Sequence, residues 1–390
     1  MVTWSAERTV LAACTVAFFA TMVARLVISP VVPLIADDFG VSNTAVGFSL
    51  TAMWFAYASS QFPSGLLGDR VGERRVILVA VGGTALASGL LALAPIFPAF
   101  VLFTFALGGV AGLHYSVATT LLSRTYTDIG TAIGIHSAGA PAAGLVAPVA
   151  AAAVGTRFGW RPAVALGAAA AVPSVLLFAW AVAPTEPARP DESIRGRVSP
   201  GILVELLSRP PIAGTMVVSV LMAFVWQGTA SFLPTFVIEH RGYSETSAGI
   251  VFSGYFVIQG AGQPAMGWLS DRVGRALATG SAALVGVAGY TLYVAGPGLA
   301  SVVAATLLVG VAMSWGAAML PAFLDNMTDE EEGMGFGLVR TGYMVLGASG
   351  SVGVGLLADV FSWRVSFLTL AGLQVLVACA LFGTVVRNWR

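Results

Sequence analysis

Long apolar runs recur along the whole chain and are separated by short segments rich in Gly, Pro and charged residues. Each run approaches the roughly 20 residues that an α-helix needs to cross the hydrocarbon core of a bilayer. The pattern predicts an all-α polytopic membrane protein with twelve transmembrane helices. They lie near 9–35, 44–67, 75–94, 99–122, 131–154, 162–183, 211–237, 246–269, 276–296, 299–324, 334–358 and 364–386.

The longest polar segment, PTEPARPDESIRGRVSPGILVELLSRPP at 184–211, separates the sixth predicted helix from the seventh. Its proline, arginine and acidic content is typical of a linker between domains. The sequence therefore predicts an N-terminal six-helix bundle at 1–183, a cytoplasmic linker at 184–210 and a C-terminal six-helix bundle at 211–390.

The second half of the chain repeats the first with a shift of 201–203 residues. The tetrapeptide DRVG occurs at 69–72 and again at 271–274, and FGWR at 158–161 corresponds to FSWR at 361–364. Six helices per copy is an even number, so the two pseudo-symmetric halves have the same orientation in the membrane. A parallel repeat of this kind is found in secondary transporters, with the substrate site near the midplane.

Arginines in the predicted loops are distributed unevenly, with thirteen on one side of the membrane and four on the other. The four are Arg157, Arg161, Arg241 and Arg364. Short loops rich in basic residues stay in the cytoplasm. Both termini are therefore expected to be cytoplasmic, and the protein is expected in the plasma membrane.

Composition narrows the function. The chain is 57% hydrophobic and 10% charged, whereas soluble domains carry about 25% charged residues. The formal net charge is zero, so nothing indicates a nucleic-acid partner. No Ser/His/Asp set, metal-ligand spacing or G-x-x-x-x-G-K-[ST] nucleotide loop occurs in the sequence. We expect no enzyme activity, no cofactor and no metal site.

The two DRVG copies lie in GLLGDRVGERR at 65–75 and GWLSDRVGR at 267–275. These segments resemble the signature loop of the major facilitator superfamily, roughly G-x-L-x-D-R-x-G-R/K-R/K, and the resemblance extends to the twelve helices and the central linker. It implies alternating access, in which two halves rock about a central site. It also implies a cytoplasmic latch, formed by Gly65, Asp69, Arg70, Gly72, Arg74, Arg75, Gly267, Asp271, Arg272, Gly274 and Arg275. One departure is Glu73, which stands where the family usually has a basic residue.

Two arginines lie inside predicted helices, Arg25 in the first and Arg340 in the eleventh. An ionisable residue at membrane depth is costly and is a functional candidate by default. The planar guanidinium suits a carboxylate or a phosphate, so we predict that the two arginines bind an anionic substrate. The alternative for Arg25 is snorkelling or a structural pair. The alternative for Arg340 is snorkelling, or a pair with Asp325 or with the acidic run at 329–332.

Other residues inside the predicted helices complete the set of candidates. Tyr255 and Gln259 are one helical turn apart and could bond substrate oxygens. The remaining lining candidates are Tyr57, Trp226, Gln227, Trp315 and Tyr343. His114 and His136 are proton-relay candidates, since histidine exchanges protons near neutral pH; a packing role is the alternative.

Two absences bear on the substrate. No acidic residue falls near the middle of a predicted helix, and GAPAAGLVAP at 139–148 lacks the full G-x-x-x-G-P-x-x-G-G pattern typical of drug/proton antiporters. Both favour a small organic or inorganic anion, such as a carboxylate, a sugar phosphate or nitrate/nitrite. Efflux of amphipathic compounds is the alternative, and a non-transporting membrane receptor is a more remote one. We expect a monomer in the lipid bilayer that binds a small-molecule substrate and couples to a proton or a counter-anion.

Overall fold

The computed structural model describes residues 6–190 and 200–388, so the centre of the predicted linker, 191–199, lies outside the described residues. Every regular element in these ranges is a helix. The first nine are α1 Ala6–Leu26, α2 Val32–Phe39, α3 Asn43–Val71, α4 Glu73–Ala92, α5 Phe97–Gly112, α6 His114–Thr125, α7 Ile129–Ser137, α8 Gly139–Phe158 and α9 Trp160–Ala181.

Ten further helices lie in the described range 200–388, the first of them inside the predicted linker. They are α10 Pro200–Ser208, α11 Pro210–Glu239, α12 Glu245–Val273, α13 Arg275–Ala295, α14 Gly298–Ala312, α15 Gly316–Met319, α16 Pro321–Leu324, α17 Asp329–Gly347, α18 Gly350–Val360 and α19 Trp363–Asn388. Short 3₁₀ turns at Ser29–Val31 and Met313–Trp315 interrupt the path between α1 and α2 and between α14 and α15.

Ten helical stretches in the described ranges are long and apolar enough to cross a membrane. Several combine two or more helices, as α5 and α6 do in Phe97–Thr125. The other two predicted spans correspond to α3 and α12, each of 29 residues, which carry the Asp-Arg pairs of DRVG in their last turns. With these two the count is twelve, and the predicted all-α polytopic fold is confirmed.

The chain divides into two compact units. Unit 1 comprises residues 1–40 and 52–198, and unit 2 comprises residues 41–51 and 199–390. The first turns of α3 therefore belong to unit 2 and the rest of this helix to unit 1. The division into bundles at 1–183 and 211–390 rests on the sequence repeat and stays a prediction.

The glycines of the two DRVG copies have the same local structure. Gly72 (φ +88°) ends α3, and Gly274 (φ +90°) ends α12. Residues with a Cβ rarely adopt such positive φ values, whereas glycine does so at no steric cost. In each copy the next residue starts a new helix, Glu73 for α4 and Arg275 for α13. The repeated motif therefore places the same left-handed break at the same point in both units.

Asp359, near the end of α18, caps the start of α3 within unit 2. Its carboxylate accepts hydrogen bonds from the backbone N–H of Asn43 (3.2 Å) and of Thr44 (2.6 Å). It also accepts from the Asn43 side-chain amide (3.1 Å) and the Thr44 hydroxyl (2.5 Å). The first N–H groups of a helix have no intrahelical partner, and the positive end of the helix dipole favours a carboxylate. Another helix thus caps the first two N–H groups of α3, beside the Ser42 hydroxyl, which accepts from the Ala45 N–H (3.3 Å).

An ion pair joins the start of α11 to the start of α17. Both guanidinium nitrogens of Arg209 donate to the Glu331 carboxylate, at 2.6 and 2.9 Å. Glu331 also accepts a hydrogen bond from the Thr328 backbone N–H and completes a capping box at the start of α17. Arg209 and the Thr328 N–H lower the pKa of Glu331 from its usual value of 4.5 to about 2.

This shift predicts how stability depends on pH. A carboxyl group whose pKa is depressed by folding stabilises the protein above its unfolded pKa, and this contribution is lost as pH falls through the folded pKa. We expect Glu331→Gln to lower the melting temperature at pH 7, and the difference from wild type to shrink between pH 4.5 and 2. Thermal unfolding in detergent across this range measures it. Glu205→Gln is the control, since Glu205 lies 3.5 Å from the same guanidinium and is mostly exposed. A deficit of Glu331→Gln that is unchanged at low pH would contradict an ionic origin.

Candidate functional site

A cavity of about 280 Å³ opens within unit 2, walled by α11, α12, α17 and the 3₁₀ turn Met313–Trp315. Six of the residues predicted as substrate contacts line it: Trp226, Gln227, Gln259, Trp315, Arg340 and Tyr343. These residues are spread over more than 100 positions of sequence, and the packing of the helices brings them together at one site.

The break after α14 shapes one wall of the cavity. α14 ends at Ala312, and the 3₁₀ turn that follows presents Trp315 to the cavity. Gln259 on α12 donates from its side-chain amide to the Met313 carbonyl (3.1 Å). In return the Ser314 hydroxyl donates to the Gln259 carbonyl (3.0 Å). Backbone groups in a broken membrane helix need such partners, and these two bonds hold the turn against α12.

The polar groups of the cavity differ in how they are paired. Gln227 is 2% exposed, and its Oε1 has no hydrogen-bond partner among the described residues. Arg340 on α17 supplies positive charge, and no acidic residue is among the described residues of the lining. The rings of Trp315 and Tyr343 meet edge to face, with centroids 6.1 Å apart. The cavity is therefore aromatic, rich in amides and cationic.

The sequence prediction missed some lining residues, and three of its substrate-contact candidates, Tyr255, Tyr57 and Arg25, are not in the described lining of this cavity. Gln263 follows Gln259 by four positions on α12 and lines the cavity; the i, i+4 spacing was the available signal. Met313 also lines it, and nothing in a long apolar run marks such a position. Tyr255 is buried against Phe256, with ring centroids 5.0 Å apart, and is not in the described lining.

In unit 1, Arg25 is enclosed by protein and is 2% exposed. Its Nε donates to the Thr21 carbonyl (3.1 Å), and one terminal nitrogen approaches the Met22 sulfur (2.8 Å). The guanidinium lies 3.9 Å from the ring centroid of Tyr57 and 5.2 Å from that of Trp54. Arg25 is in none of the ion pairs found among the described residues. Aromatic faces, which attract cations, surround it instead of a carboxylate.

The two proton-relay candidates lie side by side in unit 1. His114 and His136 are fully buried, with ring centroids 5.6 Å apart. Phe18 on α1 packs against both rings, at 5.9 and 5.0 Å, and Tyr115 stacks on His136 at 5.6 Å. The sequence prediction named the two histidines separately, and the fold makes them a pair. Their relay role stays a prediction.

The first charged loop, around Asp69 and Arg74, is held by ion pairs and hydrogen bonds within unit 1. Arg124, at the end of α6, forms ion pairs with Asp69 (3.6 Å) and with the fully buried Glu73. Arg74 donates to the Val182 carbonyl (2.6 Å) beyond the end of α9. Glu73, the departure from the family pattern, is thus half of a local ion pair. Of the other predicted latch residues, Gly65 lies inside α3, and Arg70 and Arg75 are exposed.

The second loop has its own contacts within unit 2. Arg275 forms ion pairs with Asp271 (2.5 Å) and Asp325 (3.0 Å). Arg272 lies over the Trp268 ring, 4.1 Å from its centroid, and Gly267 lies inside α12. Asp325, one of the partners considered for Arg340, is therefore paired with Arg275. The latch role of the two loops stays a prediction.

Comparisons with known proteins agree with the resemblance carried by the two charged loops. A sequence profile described as Major Facilitator Superfamily matches residues 14–249 and 237–388. A hexuronate transporter of Bacillus subtilis (strain 168) is 23% identical over 64% of this chain and 61% of its own length, so the match spans about three fifths of that relative. The probable sulfoacetate transporter SauU of Cupriavidus necator is 24% identical over 88% of this chain and 85% of its own. Proteins named for drug efflux or fatty acid resistance match over a third of the chain or less.

A solved structure shares the fold. It is the inward-facing, unoccupied form of a bacterial homolog to the human lysosomal transporter Spinster, with a TM-score of 0.83 and 16% sequence identity, and the match covers 97% of both chains. Similarity at this level of identity concerns the fold alone.

Proposed function

The chain belongs to the major facilitator superfamily of membrane transporters, and we propose that it carries a small organic anion by alternating access. The observation that carries this proposal is the cavity of unit 2, in which Arg340 is the charged residue among the described lining. An arginine offers paired N–H donors in a fixed fork, which fits a carboxylate or a phosphate. The glutamine amides beside it can bond further oxygens of the same molecule.

The environment of Arg25 supports the same proposal. A buried cation without a carboxylate partner is costly, and the guanidinium of Arg25 lies against the faces of Tyr57 and Trp54. A cation held in this way can pair with an anion that arrives from outside the protein. Arg25 is therefore the residue of unit 1 that we propose for substrate recognition.

The relatives support the anion class. Hexuronate and sulfoacetate, the compounds in the names of two relatives, are both small organic anions. We propose that the chain works as a monomer in the plasma membrane with both termini in the cytoplasm, as the arginine distribution predicts. A proton or a counter-anion would be the coupling ion.

Efflux of amphipathic compounds is the second candidate. Trp226, Trp315, Met313 and Met344 give the cavity a large apolar wall, and methionine-rich surfaces adapt to varied ligands. The volume favours the anion, because about 280 Å³ lies just below the roughly 300–1,000 Å³ typical of ligand pockets and suits a small molecule.

Thermal unfolding of the purified protein with a panel of compounds tests the proposal. The panel contains carboxylates, sugar phosphates, nitrate, neutral sugars and amphipathic cations. A ligand at a hundredfold excess over its dissociation constant stabilises a protein by about 2.7 kcal/mol, and we expect shifts of this size from one class of anions. Stabilisation by amphipathic cations alone would contradict the anion proposal and favour efflux.

A further inference from the structure

The side chain of Gln227 contributes a buried polar atom without a hydrogen-bond partner to the wall of the cavity. Gln227 lies in α11, is 2% exposed, and its Oε1 has no hydrogen-bond partner among the described residues. A buried polar atom without a partner costs about 1–3 kcal/mol. Such atoms are few in folded proteins, and each needs a physical reason. For an atom in a cavity wall, the direct reason is a partner supplied by the ligand.

Gln259, in the same cavity wall, has a hydrogen-bond partner within the protein for its side-chain amide. The side chain of Gln259 is held by the Met313 carbonyl (3.1 Å), so this amide supports the fold of the 3₁₀ turn. Gln227 has no such task in the described structure. The two glutamines of one cavity therefore differ in role, the first supporting the wall and the second facing the ligand.

The chemistry of the missing partner follows from the amide. Ionised carboxylate and phosphate oxygens accept hydrogen bonds and cannot pair with another acceptor such as Oε1. A hydroxyl group both donates and accepts. It can therefore bond Gln227 whichever way the amide oxygen and nitrogen are assigned. The anionic group that suits Arg340 can accept from the amide N–H of Gln227 and leaves its Oε1 unpaired, so a donor group is needed on the same molecule.

The rest of the cavity fits a small ring that carries hydroxyl groups. Trp315 and Tyr343 meet edge to face, and aromatic rings give flat apolar surfaces to the cavity. A sugar ring presents C–H groups on its faces and hydroxyls at its edge, so it matches apolar and amide walls together. A volume of about 280 Å³ suits one such ring better than an extended molecule.

We infer that the substrate is a polyhydroxylated monocarboxylate of the sugar-acid class, whose carboxylate binds Arg340 and one of whose hydroxyls bonds Gln227. The inference rests on the proposed function, because it uses the same cavity and the same arginine. Within that function it makes Gln227 the residue that separates hydroxylated anions from anions without hydroxyl groups.

Two ring carboxylates of similar size test this inference. D-Glucuronate carries hydroxyl groups, and cyclohexanecarboxylate carries none. The dissociation constants of both are measured by thermal shift and calorimetry on the full chain in detergent. We expect the wild type to bind D-glucuronate about fivefold to tenfold more tightly, the value of one net hydrogen bond. Gln227→Met, which keeps the side-chain length and removes the amide, is expected to bring the ratio close to one.

Gln374→Met is the matched control. Gln374 on α19 is also fully buried with an unpartnered amide, and it is not in the described lining of the cavity. This variant is expected to keep the wild-type ratio. A ratio near one in the wild type, or an equal fall in both variants, overturns the inference. The wild-type ratio needs no variant, so the test holds even if Gln227→Met does not fold.

The experiment also separates the two proposals. If neither ring carboxylate binds, the sugar-acid inference fails. The proposed anion function fails only if simple carboxylates, sugar phosphates and nitrate also leave the melting temperature unchanged.

Discussion

Replacing Arg340 with methionine is expected to raise the dissociation constant for the bound anion about 100-fold. A forked guanidinium–carboxylate pair makes two charge-assisted hydrogen bonds. Each contributes about 1.5 kcal/mol or more, and about 1.4 kcal/mol corresponds to a factor of ten. Thermal shift over a series of concentrations of the stabilising anion measures the change.

Two further variants make this test specific. Arg340→Lys keeps the charge and loses the fork, so its affinity is expected to fall between those of the wild type and Arg340→Met. Arg364→Met removes an exposed arginine of α19 outside the described lining and is expected to bind as the wild type does. Unchanged affinity in Arg340→Met would show that Arg340 does not anchor the anion.

Gly108→Ala is expected to reduce the free energy of unfolding by about 2 kcal/mol or more, or to prevent purification of a folded protein. Gly108 on α5 packs directly against the backbone of Met53 on α3. A Cβ at this position would overlap the Met53 carbonyl oxygen and lie 2.7 Å from its carbonyl carbon. Small residues allow membrane helices to approach this closely. Overpacking costs about 1–3 kcal/mol or more where the backbone has to move.

The adjacent glycine provides the control. A Cβ on Gly109 would meet only ordinary contacts, at 3.8 Å from the Ser60 hydroxyl and 3.9 Å from Ala56. Alanine is favoured over glycine in helices by about 0.8–1 kcal/mol, so Gly109→Ala is expected to be as stable as the wild type or slightly more. Chemical or thermal unfolding of both variants in the same detergent gives the comparison. Equal stability of the two would contradict the close approach of α5 to α3.

The course of the chain through the membrane could be predicted from the sequence because one physical constraint dominates it. In the hydrocarbon core of the bilayer, the backbone polar groups have to be hydrogen-bonded within the segment, so a spanning segment is a long apolar helix. The apolar runs of the sequence locate all twelve helices. Interruptions inside a run were not predicted. The turn at Met313–Trp315 lies inside one long, predominantly apolar stretch, Gly298–Leu324, so hydropathy does not mark it. Its cause is tertiary, since the Gln259 amide donates to the Met313 carbonyl of the turn and the Ser314 hydroxyl donates to the Gln259 carbonyl of α12.

Residues of the candidate site could be predicted from the sequence where a polar side chain stands in an otherwise apolar helix. Arg340, Gln227 and Gln259 are conspicuous in apolar helices, and all three line the cavity. Tyr255 and Gln259 share a helix face in the sequence pattern, yet Tyr255 packs against Phe256. Which part of a face is buried depends on the neighbouring helices, and the periodicity of one helix carries no information about them.

The cap that Asp359 places on α3 has a kinetic consequence. The first turn of α3 cannot leave α18 until the hydrogen bonds from Asn43 and Thr44 have broken. They share one carboxylate, with the Asn43 groups on one oxygen and the Thr44 groups on the other. Hydrogen bonds to charged groups contribute about 1.5–3 kcal/mol each, and every 1.36 kcal/mol added to a barrier slows a step tenfold. The Asp359 side chain therefore lengthens the dwell time of the capped arrangement, together with Thr51, whose hydroxyl bonds the Ala348 carbonyl and the Val352 N–H.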